Sequence, residues 1–178
     1  MLLVCPGCIV ADPPEYHNAV QTRPLLEVYK AVPATTGVVV WTPMSSAIGI
    51  TFTVPVRSED AGEYLRTLGV IDYGTTLTPR VINPQRLPPS TYDQSRDINY
   101  TWLPTIGTSA QTPNDNGCHV FSIVVAHESS FKNQDNNMLD PQKAGDDAAI
   151  VSWWTNINPP NNAVDTLTDC PETGLPSL

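Results

Sequence analysis

The chain has 178 residues, 18 of them Pro and 10 Gly, with 40% apolar and only 15% charged positions. That length suits one domain with a real core, and the low charge excludes a disordered polyelectrolyte and argues against a helical protein with Lys- and Glu-rich faces. The net charge is -9 and the nine basic residues are scattered, so the chain offers no basic run for a nucleic-acid backbone.

Proline removes a backbone donor and blocks helix interiors, threonine prefers a pleated surface, and asparagine supplies turns. With 19 Thr and 12 Asn beside the prolines, short strands joined by long ordered loops are expected. Residues 1–24 read as an extended arm, broken by Pro6, Pro13, Pro14 and Pro24. The start, Met1 to Cys5, is apolar but too short for a signal peptide and lacks a basic flank. If the protein is secreted, its leader is not part of this sequence; an excised domain would also begin this way. Leu25–Val32 reads as a strand, Pro33–Gly37 as a turn, and Val38–Thr42 as a short buried strand. In Ala47–Val56, Ile48, Ile50, Phe52 and Val54 alternate with Gly49, Thr51 and Thr53, which predicts a half-buried strand, with Pro55 marking a strand end or an edge.

Ser58 is a good N-cap, Glu59 and Asp60 follow it, and Tyr64, Leu65 and Leu68 form an apolar stripe closed by Gly69. These features predict one short helix over 59–68. Val70–Tyr73, Thr76–Ile82 and Ile98–Leu103 read as strands, and Asn83–Arg96, Pro104–Gly117 and Glu128–Asp147 as long loops. Cys118–His127 is apolar on both faces and belongs in the middle of a sheet, with His119, Phe121, Ile123, Val125 and His127 sharing one face. Ala148–Thr155 is the last strand, and 156–178 is a proline-rich extended tail. The fold class is therefore all-β: an antiparallel β-sandwich or jelly roll of about eight strands over 25–155, flanked by arms, with unequal loops favouring the jelly roll. No stretch approaches the ~20 apolar residues of a membrane span.

Few residues point to chemistry. Cys5 and Cys8 form a C-x-x-C, but the prolines after it give loop rather than a helix N-terminus, so disulfides tying the termini to the sheet, or buried thiols, suit Cys5, Cys8, Cys118 and Cys170 better than redox or zinc chemistry. His119 and His127 are eight residues apart on one strand. That is about 26 Å, too far to share a metal. Asp135, Asp140, Asp146 and Asp147, with Asn136 and Asn137, are calcium candidates in a loop without EF-hand spacing; no other cofactor is expected. No nucleophile elbow, P-loop or dinucleotide fingerprint is present, so an enzyme has no positive support. Asn99-Tyr100-Thr101 is a sequon inside an expected strand. Trp153 and Trp154 point to opposite faces, so one enters the core and the other reaches a surface. Trp153, Trp154, Pro159 and Pro160 are expected at a subunit interface.

The proline-rich arm, VVVWT (38–42), AIGITFTVPV (47–56), SEDAGEYLRTLG (58–69), CHVFSIVVAHESS (118–130) and the tail WWTNINPPNN (153–162) together give a pattern that resembles coat proteins of small icosahedral RNA viruses, or a protruding domain of one. The resemblance covers most of the chain in style and has no diagnostic motif. It implies a structural capsid subunit of the virion, partnered by copies of itself or by other shell subunits. Many such proteins carry a basic N-terminal segment for packaging, and this chain has none. That departure favours an outer domain or low dependence on RNA. The alternative expectation is a secreted or surface β-sandwich that recognises a glycan or a host protein through loops 83–97, 104–117 and 128–147, with Tyr92 and Trp102 as exposed aromatics.

Overall fold

A computed structural model describes residues 22–42, 49–59, 62–75, 77–106, 115–131, 145 and 147–159. The strands are β1 (Leu25–Leu26), β2 (Val38–Trp41), β3 (Ile50–Arg57), β4 (Leu65–Ile71), β5 (Arg80–Leu87), β6 (Arg96–Trp102), β7 (Gly117–His127) and β8 (Ala149–Ile157). Two short 3-10 turns, Val28–Lys30 and Glu128–Phe131, follow β1 and β7. The strands form one sheet of order β1-β3-β6 and a second of order β2-β8-β7-β4-β5. This is the sandwich expected from the sequence. All pairs are antiparallel except β2 with β8, which run parallel. In chain order the strands take the places A, A′, B, C, C′, E, F and G of an immunoglobulin-type sandwich, rather than a jelly-roll order.

The region expected to be helical, 59–68, instead runs into β4 from Leu65. Leu65 pairs with His127 on one side and with Leu87 on the other, and two-sided pairing outweighs a weak local helix signal only about three turns long. Gly69, read as a helix terminator, is needed for close packing. A Cβ there would sit 2.7 Å from the Tyr100 ring. The Tyr100 hydroxyl lies 2.8 Å from Thr67 Oγ1, which ties the two sheets together. Burial pushes the Tyr100 phenol up to about 12. Part of the expected 83–96 loop is strand β5, which tolerates Pro84 because it is a sheet edge. The expected 25–32 strand is only two residues long before the 3-10 turn begins. The arm up to Gln21 and the tail from Pro160 lie outside the described residues.

The core lies between the sheets. Phe52 of β3 stacks on Phe121 of β7, ring centroids 4.1 Å apart, and Trp153 tilts against both. These are the two strands that a disulfide joins in antibody domains, and here an aromatic stack joins them. Each buried ring contributes about 1.5–3 kcal/mol, and an aromatic pair adds about 0.5–1.5 kcal/mol. A second apolar cluster, Leu68, Val70, Val124, Ala126 and Phe131, occupies the outer face of the five-stranded sheet. Cys118 is disulfide-bonded; Cys5, Cys8 and Cys170 lie outside the described residues. No helix among the described residues is long and apolar enough to cross a membrane.

Candidate functional site

Strand β7 presents His119, Phe121, Ile123, Val125 and His127 towards the core, so its two histidines cap the two ends of the sandwich. Each meets an aspartate. At the far end, His127 Nδ1 lies 2.8 Å from Asp147 Oδ1, and His127 Nε2 lies 3.3 Å from Ser58 Oγ. The carboxylate fixes the proton on Nδ1, which leaves Nε2 to accept from the serine hydroxyl. Asp147 Oδ2 also accepts from the His127 backbone N–H and from Ser130 Oγ, both at 2.7 Å. Partial burial pushes the Asp147 pKa up, but these hydrogen bonds outweigh it and hold the group below its ordinary value. The chain builds this corner locally. The 3-10 turn after β7 delivers Ser130, and a turn closed by Ala148 N–H to Gly145 C=O sets Asp147 just before β8.

Ser58, His127 and Asp147 repeat the connectivity of a catalytic serine triad. Ser58 is 3% exposed and His127 fully buried. A nucleophile must reach its substrate and needs donors for an oxyanion. The triad reads as a closed clasp between the end of β3 and the end of β7.

At the near end, His119 Nδ1 lies 2.9 Å from Asp72 Oδ2 and 3.0 Å from Oδ1. Asp72 has a left-handed backbone, φ 62°, which Asp tolerates better than most residues. Here Nε2 is buried and finds no partner among the described residues. The Trp102 ring meets the imidazole edge-on, with centroids 5.7 Å apart. Beside this pair, Arg80 donates to Asp115 at 2.5 Å, and Asp115 accepts the Thr105 N–H at 2.8 Å.

These positions decide several expectations. Trp102 is 3% exposed and Trp153 fully buried, its Nε1–H donating to Pro33 C=O at 2.7 Å. Both are therefore core residues, not an exposed binding aromatic and a contact residue. Trp154 is partly exposed on the opposite face of β8, and Pro159 is buried. Tyr92 is 46% exposed. Asp135, Asp140, Asp146 and Pro160 lie outside the described residues. Asp147, the remaining calcium candidate, already accepts three hydrogen bonds that a cation would have to displace. No group of three or more metal-ligating side chains occurs among the described residues.

Sequence reasoning missed the edge at β1. Leu25, Val28, Tyr29, Val32 and Ile150 are 50, 40, 80, 61 and 42% exposed. A groove of about 420 Å³ is lined by Leu25, Leu26, Val28 and Ile150, with Arg23 also on its wall. A neighbouring groove of about 210 Å³ shares Arg23 and Leu25 and adds Arg57, Glu59 and Tyr92. Beneath them the Glu27 carboxylate accepts from Ser95 Oγ at 2.6 Å, Lys30 Nζ at 3.0 Å, Tyr29 OH at 3.1 Å and Arg57 Nε at 3.3 Å. The Ser95 hydroxyl first, then the Lys30 ammonium, hold the Glu27 pKa down at about 2. The excess of apolar residues in LLEVYKAV was the available signal, and it was absorbed into an expected strand. Comparison with known proteins finds no matching family profile, no similar curated protein and no similar solved structure.

Proposed function

We propose that this chain is a non-catalytic β-sandwich that works by contact with protein, as a self-assembling structural subunit. The observation that carries the reading is the run of exposed apolar side chains along Leu25, Val28, Tyr29 and Val32, joined by Ile150. Contiguous exposed apolar surface marks contact sites, whereas single exposed apolar residues need no explanation. The closed Ser58–His127–Asp147 clasp supports the non-catalytic part, because its serine hydroxyl is buried. The coat-protein form of this reading, a capsid subunit or protruding domain in the virion, rests on the sequence resemblance alone. A surface or extracellular module that recognises glycan or a host protein is the second reading. Exposed Tyr92, on the wall of the smaller groove, favours it.

Light scattering on the purified chain, with electron micrographs of the same peak, tests the first reading. Dimers, rings or shells are expected. A monomer of 19.4 kDa at every concentration overturns self-assembly and leaves the recognition module, to be probed with a glycan array and Tyr92→Ala.

A further inference from the structure

We propose that Asn99 is a glycan attachment site, at which an N-linked oligosaccharide stands on the open face of the three-stranded sheet. The proposal goes beyond the contact reading above and does not depend on it. Asn99-Tyr100-Thr101 is the one Asn-x-Ser/Thr sequence in the chain, and its middle residue is not proline. The fold decides whether such a sequence can carry a sugar. In a strand, residues i and i+2 share a face. Along β6, Ile98, Tyr100 and Trp102 turn into the core, so Asn99 and Thr101 turn outward together, and both are exposed.

The ground around Asn99 is low and open. β6 is an edge of its sheet and pairs only with β3. Across that pair Thr53 faces Asn99 and Thr51 faces Thr101, so the nearest cross-strand side chains are short. The amide is also held in place. Its Oδ1 accepts from Thr53 Oγ1 at 2.7 Å, and the Asn99 backbone C=O accepts from Gln85 Nε2 at 2.8 Å. Nδ2 has no partner among the described residues. Attachment replaces one hydrogen of Nδ2 and leaves Oδ1 as it is, so the bond to Thr53 survives it.

Thr101 Oγ1 lies 3.0 Å from Thr51 Oγ1, so the sequon hydroxyl is engaged once β3 and β6 have paired. Transfer therefore belongs to the chain before that pairing, and the folded sheet has only to keep the sugar. The donor is an oligosaccharide carried on a lipid pyrophosphate. Nδ2 forms a bond to the sugar C1, the C1–O bond breaks, the lipid pyrophosphate leaves with the electron pair, and one Nδ2 proton passes to a base of the transferring enzyme. Such donors are met in the secretory lumen, where disulfides also form, and Cys118 is disulfide-bonded.

The full chain, made in a eukaryotic cell behind a cleavable secretion leader, tests this by intact mass. The secreted protein should be heavier by a single glycan, and peptide-N-glycosidase should remove it and leave an aspartate at that position. Thr101→Ser should keep the glycan, whereas Asn99→Gln and Thr101→Ala should lose it. The glycosylated and the enzymatically stripped chains should share one urea midpoint, because Thr53 keeps its acceptor in both. A chain secreted bare overturns the proposal. So does a chain retained in the cell, with or without the sugar, or a glycan that persists in Asn99→Gln. A midpoint that rises when the sugar is removed would also overturn it, because the sheet would then be strained by what it carries.

Discussion

The two ends of β7 hold the same pair of residue types in opposite states of completion. At the His127 end every polar atom of the imidazole has a partner, and Asp147 is shared between a ring, a backbone N–H and a serine. At the His119 end Asp72 holds one nitrogen while the other is buried without a partner among the described residues. A satisfied buried network specifies the structure around it, and an incomplete one costs stability. The same His–Asp pair is therefore tied through both ring nitrogens at one end of the sandwich and through one at the other.

Replacing each pair whole is the sharpest way to break this comparison. His127→Phe with Asp147→Ala strips three donors of their acceptors and should cost about 3 kcal/mol by urea denaturation. His119→Phe with Asp72→Asn removes an unsatisfied nitrogen and keeps a residue type that accepts the left-handed backbone. It should lie within about 1 kcal/mol of the unaltered chain. Equal costs at the two ends would refute the comparison.

The middle of the sandwich supplies the scale. Tyr100→Phe removes one buried hydroxyl bond to Thr67 and should cost about 1 kcal/mol, measured the same way. A smaller loss than this at the His127 end would mean that the clasp contributes little.

Acid probes two of the carboxylates, Asp147 at the His127 end and Glu27 beside β1. Glu27 and Asp147 both have depressed pKa values, so each contributes stability that is complete above its unfolded value and is lost as pH falls through its folded value. For Glu27 that window runs from its ordinary 4.5 down to about 2. Urea midpoints should therefore fall between pH 4.5 and 2, and Glu27→Gln should flatten that fall without abolishing it. A curve unchanged by Glu27→Gln would show that the carboxylate is not what holds the β1 corner. The smallest effect belongs to the surface. Arg23→Glu should change stability by no more than about 0.5 kcal/mol in the same urea measurement.

Much of the fold was legible in the residues. β7 stood out because apolar residues on both faces have no use outside the interior of a sheet. The VVVWT run marked a strand but not its place, since β2 lies at the edge of the five-stranded sheet with Val40 exposed. β4 was not legible. Its Tyr64, Leu65 and Leu68 fit a helical spacing, and only the partners on either side, distant in sequence, make it a strand. The site was less legible still. Ser58 and His127 are 69 positions apart, and Asp72 and His119 are 47 apart, so no local pattern carries either contact. The parallel pairing of β2 with β8 joins an early, four-residue strand to the last one and has no signature in spacing.

Gly69 and Tyr100 occupy one volume between the sheets, since a single added carbon at 69 would sit inside the contact distance of the ring. A side chain at 69 requires the ring at 100 to move or to go, so the two positions are coupled through shared volume rather than through a bond.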